Sequence, residues 1–359
     1  MSPSSGLSLF AHNTYLEWYL PRLHRGDHAI NLHASGVPAY ALDALPRPEG
    51  DPWAMVSGFE AALARHLGLE PAEVLFTPGA TGGTLLALLA LGRPTAGILV
   101  EQPIYEPMLR QAERLGPVTR LVRKPGTGFR LDLEAAERRL HEGASLVMIT
   151  EPHNPSGVLS PRGDVEALAR LAQKHGARLL VNEVYREFGS APSYHGVADN
   201  VVVVSSLSKL CGAYLARLGW ISGPPALIQA LRVAHCNLGM AAGPTAALGI
   251  ALMPHLEALA AEARRLSAAG VDVVDRWVRE TPGVEWTRPD GPGFGCLRLP
   301  PGVDDLQLAE TLHDRHGVLV VPGSLWECPG TLRLSWLQAT PADLATGLER
   351  LATVLSERG

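Results

Sequence analysis

A run of valines, residues 201–205 (VVVVS), leads directly into Ser206-Leu207-Ser208-Lys209, and Arg217-Leu218-Gly219 follows shortly after. A lysine at the end of a buried strand is unusual, because burying an ammonium is costly and depresses its pKa. An amine kept neutral in this way is what Schiff-base chemistry uses. Taken alone, such a lysine is more often an exposed loop residue, so its surroundings have to decide. Two further segments stand in the same kind of place. Glu151-Pro152-His153-Asn154-Pro155-Ser156-Gly157 follows the β-rich run 145–150 (SLVMIT). Val181-Asn182-Glu183-Val184-Tyr185 closes the run 178–181 (RLLV), which puts Asn182 and Tyr185 near a strand end. Asn-Pro and Ser-Gly are ordinary turn dipeptides, so a tight turn by itself explains the first segment.

The elements that must position these residues alternate between strand and helix. From about residue 51, Phe59, Leu63, His66 and Leu67 repeat at helical spacing, and 73–77 (EVLFT) reads as a short buried strand. Helix is expected over 84–91, 107–115, 132–141 and 164–175, with Asp132 as an N-cap. Strands are expected over 97–100, 117–122, 145–150, 178–181 and 201–205. This alternation predicts an α/β fold, a mostly parallel central sheet with helices on both faces. In such sheets chemistry collects at the carboxyl ends of strands. After Pro244 an Ala-rich helical stretch runs to about Glu280. Short strands at 295–299, 318–321 and 331–336 follow, with helices at 305–316 and 341–357. The expected division is an N-terminal segment 1–50 that contributes to a small α+β domain, a large cofactor-binding domain 51–260, and the rest of the small domain, 261–359.

Composition narrows the partners. The 359 residues are 46% hydrophobic and 19% charged, which is a globular balance and excludes disorder. A net charge of −5 gives no electrostatic case for nucleic acid or an anionic membrane. The apolar run 85–91 is far short of a membrane span, and the first ten residues, MSPSSGLSLF, lack the regions of a secretory signal. Four scattered cysteines and no HExxH pair argue against a disulfide framework or zinc site. A reduced, cytoplasmic protein without a metal is the expectation.

Taken together the segments resemble the fold-type I, class I/II aminotransferases, which use pyridoxal 5′-phosphate (PLP). The asparagine of NPxG falls on Asn154, the acid and tyrosine positions on residue 182 and Tyr185, and the S-x-S-K and R-x-G pieces on Ser206, Ser208, Lys209, Arg217 and Gly219. Thr77-Pro78-Gly79-Ala80-Thr81 resembles the family's phosphate turn, and Gln102-Pro103-Ile104-Tyr105 its P-x-[YWF] segment. Thr331-Leu332-Arg333-Leu334-Ser335-Trp336 resembles its C-terminal arginine strand. No one motif is specific, but all occur in the family order over roughly residues 30–357.

The resemblance implies a role for each position. Lys209 carries the cofactor and is afterwards the base at the substrate Cα, which is reached through an external aldimine. Gly79, Ala80 and Thr81 open a helix and hold the phosphate at its N-terminus, with Ser206, Ser208 and Arg217. Tyr105 stacks on the pyridine face, and Asn154 and Tyr185 bond the phenolic oxygen. Arg333 clamps the substrate α-carboxylate, and Gly36 brings backbone up to it. A homodimer with active sites at the interface is expected. The implied activity is amino-group transfer from an α-amino acid to a 2-oxo acid.

Two positions depart from the pattern. The family places an aspartate at 182 to keep the pyridine nitrogen protonated, and this chain has Asn182. Glu183 is a poor substitute, because adjacent strand residues face opposite ways. A slower or specialised aminotransferase, a PLP lyase or cyclase that asks less of the nitrogen, a turnover-impaired PLP-binding protein and an introduced Asp→Asn change are all open. Leu16-Glu17-Trp18, Ser35-Gly36-Val37 and Tyr40 look like the N-terminus of capreomycidine synthase-type enzymes, which would favour elimination and ring closure. A DNA-binding regulator is disfavoured by the 50 or so residues before the core. At the second position, Trp53 stands where the family commonly sends a tyrosine to the partner's phosphate. His12, Asn13, His33, His235 and Asn237 are candidates for distal substrate contacts.

Overall fold

A computed structural model of the protein describes residues 12–25, 30–93, 95–239 and 242–357. The reading of the first ten residues therefore lies outside the described residues. The chain begins with α1 (Thr14–Arg25), β1 (Ile30–Asn31) and α2 (Pro52–Leu67). It continues through β2 (Val74–Pro78), α3 (Gly79–Leu91), β3 (Gly97–Gln102), α4 (Glu106–Leu115) and β4 (Val118–Val122). Next come α5 (Leu133–His141), β5 (Ala144–Thr150), α6 (Arg162–Lys174), β6 (Arg178–Asn182), β7 (Val201–Ser206) and β8 (Leu218–Ser222). Helices α7 (Pro225–Leu238), α8 (Gly243–Leu252) and α9 (Leu256–Glu280) precede β9 (Glu285–Trp286) and β10 (Phe294–Arg298). Last are α10 (Asp305–His316), β11 (Val318–Leu319), β12 (Val321–Pro322), β13 (Thr331–Ser335) and α11 (Pro341–Ser356).

Seven strands form the central sheet in the order β2-β8-β7-β6-β5-β3-β4, with only β8 antiparallel to its neighbours. The α/β expectation is met. Side chains alternate across this sheet as the pleat requires. Leu180, Val202 and Val204 share one core with Leu86 of α3, Met108 of α4 and Ile228 of α7. Leu179, Val181, Val201 and Val203 face Ala136 and Leu140 of α5 and Leu168 of α6. Strands buried on both faces explain the unbroken valine run.

Local signals set the boundaries. Asp132 caps α5 by accepting from the Ala135 N–H (2.8 Å), and Asp51 caps α2 ahead of Pro52. The expected helix to Glu280 is broken at Met253–His255, because Pro254 has no N–H to give the ladder. The stretch Gly243–Glu280 is long and apolar enough to cross a membrane, but that break divides it and half of its most apolar window is buried in the protein. The single strand expected at 318–321 is two strands in two sheets. β11 pairs with β1, whereas β12 joins the antiparallel sheet β12-β13-β10-β9. The first turns of α9 (Leu256, Leu259) pack with Phe59 and Trp220, and its later turns (Val274, Val278) pack with Leu32, Leu312 and Leu348. We propose that the two domains meet along α9, with residues 30–32 belonging to the smaller one.

Candidate active site

β7 carries Ser206 to the carboxyl end of the sheet, and the following turn presents Ser208 and Lys209. The Ser206 hydroxyl donates to the Leu218 carbonyl (2.6 Å) and accepts from the Ser208 N–H (3.0 Å), while the Ser208 hydroxyl lies 2.8 Å away. The Lys209 ammonium packs 4.6 Å from the centre of the Tyr214 ring. Burial, with the nearby charges of Arg333 and Arg217, pulls its pKa down to about 7. Near neutral pH a substantial share of this lysine is therefore free amine, unlike a solvated lysine. The N-terminal segment crosses directly over it. The Val37 N–H donates to the Lys209 carbonyl (3.1 Å). A Cβ on Gly36 would stand 2.7 Å from the Tyr214 hydroxyl and 3.1 Å from the Lys209 carbonyl, so only glycine lets the two backbones meet.

Beside the lysine, the N-terminus of α3 meets Arg217. Gly79 has φ +75°, and a Cβ there would lie 2.3 Å from Arg217 Nη2. Gly219 on β8 lets the backbones touch in the same way, since its Cβ would lie 2.5 Å from the Gly79 Cα. Arg217 donates to the carbonyls of Tyr214 and Pro78, each at 3.0 Å. The sequence sets Arg217 beside the apolar run Leu218–Ser222. Arg217 precedes β8 in the left-handed region (φ 52°) and is half-buried, so its guanidinium reaches the mouth of α3. The first-turn N–H groups of Gly79, Ala80 and Thr81 have no partner within their own helix. With two serines and one guanidinium they form a concentrated set of anion donors.

The other candidates lie around Arg333, in the middle of β13. Arg333 is 3% exposed, donates Nη1 to Asn154 Oδ1 (3.2 Å) and Nη2 to the His33 carbonyl (2.9 Å), and leaves Nε without a partner. Its guanidinium carbon sits 4.7 Å over Trp326 and 5.7 Å over Phe294. The Tyr185 hydroxyl pairs with Ser35 Oγ (2.8 Å), and its pKa is raised by burial. Tyr105 caps α4, half-buried, its ring edge-on to Tyr15. Asn182 ends β6, and its amide donates to Met108 Sδ (3.4 Å) and accepts from the Val184 N–H (3.1 Å). Glu183 does face the opposite side: it accepts from the Tyr194 N–H (2.5 Å), and burial lifts its pKa to about 7.

Several residues of the site escaped the sequence reading. Helix α1 brings Tyr15 and Tyr19, stacked at 5.1 Å, against Trp326 and His33. It is fixed by Glu106, whose carboxylate accepts from the Thr14 (3.0 Å) and Tyr15 (2.5 Å) N–H groups. A signal existed: Asn13 caps the helix through the Leu16 N–H (2.7 Å), and Tyr15 and Tyr19 are one turn apart. Beneath Asn154, fully buried Arg123 binds Glu101 (2.8 Å), Glu151 (3.2 Å) and Ser160 (2.7 Å). His153 bonds Ser156 (2.7 Å) and the Pro103 carbonyl (2.9 Å), neutral because burial holds its pKa well below the usual value. No sequence spacing announces that triad. Of the distal candidates, His33 is at the site, His12 and Asn13 lie at the start of α1, and His235 and Asn237 sit on α7, which packs against α3. Trp53 is on the first turn of α2 and 72% exposed.

An amine tuned toward neutrality, a helix mouth widened by two glycines for Arg217, and a buried guanidinium with a free Nε fit an aldehyde, a phosphate and a carboxylate. These features define a PLP enzyme built on an α/β fold. Residues 47–351 match the aminotransferase class I and II family, and the chain belongs to it. It is 31% identical over 279 residues to an arginine–pyruvate transaminase of Pseudomonas aeruginosa, spanning 73% of this chain and 70% of that protein. To an aspartate aminotransferase of Streptomyces avermitilis it is 26% identical over 347 residues, or 88% and 85%. Among solved structures, a PLP-dependent aminotransferase from Streptococcus suis superposes with a TM-score of 0.85 at 23% identity, covering 98% of each chain. N-succinyldiaminopimelate aminotransferase from Mycobacterium tuberculosis gives 0.79 at 23% identity over 99% of each. The protein is a PLP-dependent aminotransferase.

Proposed function

We propose that the enzyme moves the amino group of an α-amino acid to a 2-oxo acid at the site around Lys209, as a cytoplasmic homodimer. The observation that carries this is the Lys209 amine, desolvated to a pKa of about 7 within the field of Arg217 and Arg333. Bound there, pyridoxal phosphate supplies an aldehyde to take up the amino group and a ring to draw off the electron pair released at Cα. Arg333 holds the substrate α-carboxylate: three of its five N–H donors remain once Asn154 and His33 are served, enough for a two-point clamp. With the cofactor bound, Lys209 would take the proton from Cα and hold it for return, tasks suited to a base with a pKa near the working pH. Gly79, Ala80, Thr81, Ser206, Ser208 and Arg217 hold the phosphate. Tyr105, Asn154 and Tyr185 orient the ring. Gly36 keeps the N-terminal segment close over the lysine.

Tyr15, Tyr19, Tyr105 and Trp326 line the wall beside Arg333, and Glu106 is engaged by Arg110 (2.7 Å) and by the α1 backbone. This supports amino donors with one carboxylate and an aromatic or long apolar side chain over dicarboxylic ones. Asn182 favours a second reading, side-chain elimination or ring closure. A panel of amino acids, with and without a 2-oxo acid acceptor and read by product mass, separates the two. Oxo acid formed in turnover only with an acceptor is expected. Acceptor-independent dehydrated or cyclised product would replace transfer by the second reading. Borohydride reduction should fix the cofactor on Lys209, and a label on any other residue overturns the site.

A further inference from the structure

Asn182 is placed to meet the ring nitrogen. β6 and β7 are parallel neighbours in register, with Asn182 opposite Val204, two residues before Ser206. Asn182 and Ser206 continue the face occupied by Leu180, Val202 and Val204. On the proposed reading the donors at α3, Ser206 and Ser208 would hold the phosphate, and Lys209 would mark the aldehyde carbon. With PLP held in that way its ring nitrogen, opposite the carbon that bears the aldehyde, would point away from Lys209 toward the end of β6, where Asn182 is 6% exposed.

The orientation of the amide is fixed by its neighbours. The Val184 N–H needs an acceptor and finds Asn182 Oδ1 at 3.1 Å, which turns Nδ2 toward Met108 Sδ, 3.4 Å away. Nδ2 keeps a second N–H to give, so what the amide can offer a ligand is a donor, and a flipped amide would set two N–H groups against each other. Among the described residues the neighbouring carboxylates are engaged elsewhere. Glu183 faces the other side of the sheet on the Tyr194 N–H, Glu101 is held by Thr150 and Arg123, and Glu151 by Ser160 and Arg123.

Resting on the reading that PLP sits on Lys209, we propose that this enzyme holds the cofactor's ring nitrogen unprotonated, as acceptor of a hydrogen bond from Asn182 Nδ2. A protonated nitrogen would point its own N–H at that donor. The ring then withdraws electrons less strongly, and removal of the Cα proton becomes the slow step.

The test uses holoenzyme loaded with PLP carrying 15N in the ring. The wild-type resonance is expected at the position of an unprotonated pyridine, unmoved between pH 6 and 9, and at the protonated position in Asn182→Asp. The amino-acid half-reaction should rise roughly 10- to 100-fold in that variant, the range of one charge-assisted bond felt in the transition state. A protonated nitrogen in the wild type overturns the proposal, as does an Asn182→Asp resonance that stays put. The wild-type spectrum decides even where the variant does not fold. Borohydride labelling of the same sample locates the lysine, so a misplaced site is distinguished from a misjudged nitrogen.

Discussion

The depressed pKa of Lys209 has a consequence for stability that can be measured without substrate. In the unfolded chain a lysine keeps its proton to about pH 10.4. In the folded, cofactor-stripped protein burial and two guanidinium groups bring that point down to about 7. Between these values the unfolded state binds more protons, so raising the pH favours the folded state. Integrated from pH 7 to 9, with the folded lysine half charged at the start, the gain is about 2 kcal/mol. Lys209→Met removes the titrating group while keeping most of the packing volume. Urea unfolding of wild type and variant at the two pH values isolates the lysine, because all other titrations cancel in the difference. The wild type should gain about 2 kcal/mol on the variant between pH 7 and 9. An unchanged difference would mean that the ammonium is solvated in the folded protein, and the reasoning that makes it a base near neutrality would fail with it.

Arg333→Lys keeps the charge and loses the fork. It should lower kcat/KM for the amino donor roughly 10- to 100-fold, one charge-assisted bond, while leaving cofactor affinity unchanged; a change under threefold would remove Arg333 from substrate binding. Gly79→Ala forces an L side chain to φ +75° and toward Arg217. About 1–2 kcal/mol of stability should be lost, with weaker cofactor retention on dialysis, and full retention would move the phosphate elsewhere. Leu215, 94% exposed two residues before Arg217, and Trp53, 72% exposed, are the most exposed large apolar side chains among the described residues, and a second copy in the proposed homodimer would cover them. Leu215→Asp should shift light scattering from a dimer mass to a monomer mass, and a wild type that is already monomeric refutes the proposed interface.

What the sequence disclosed and what it hid follow from the range of the interactions. The valine run, the Asp132 cap and the turn after each strand are local, and the central sheet with Ser206, Ser208 and Lys209 at the carboxyl end of β7 could be anticipated from them. Arg333 and Asn154 are 179 residues apart and bond at 3.2 Å, a contact that no local signal announces. The left-handed backbone of Arg217, which sets it just before β8, leaves no mark in a sequence of non-glycine residues. Tyr15 and Tyr19 were passed over because α1 is secured from outside itself, by a carboxylate on α4.

These long-range contacts share one physical feature: the reactive lysine is held mainly by what lies over it. The sheet beneath supplies Ser206 and the Leu218 carbonyl, but the Lys209 and Cys211 carbonyls accept from Val37 (3.1 Å) and Tyr40 (2.9 Å) of the N-terminal segment. Gln338 of the C-terminal region donates to the Gly36 carbonyl (3.0 Å), and Ser335 to the Ala34 carbonyl (2.6 Å). The residues around Gly36 therefore bridge the loop that carries Lys209 and the strand that carries Arg333. A shift of that segment must move Lys209 and Arg333, the proposed base and carboxylate clamp, together. Sequence divergence at the N-terminus can then retune the substrate without touching the proposed phosphate site, which is built separately from β2, α3, β7 and β8.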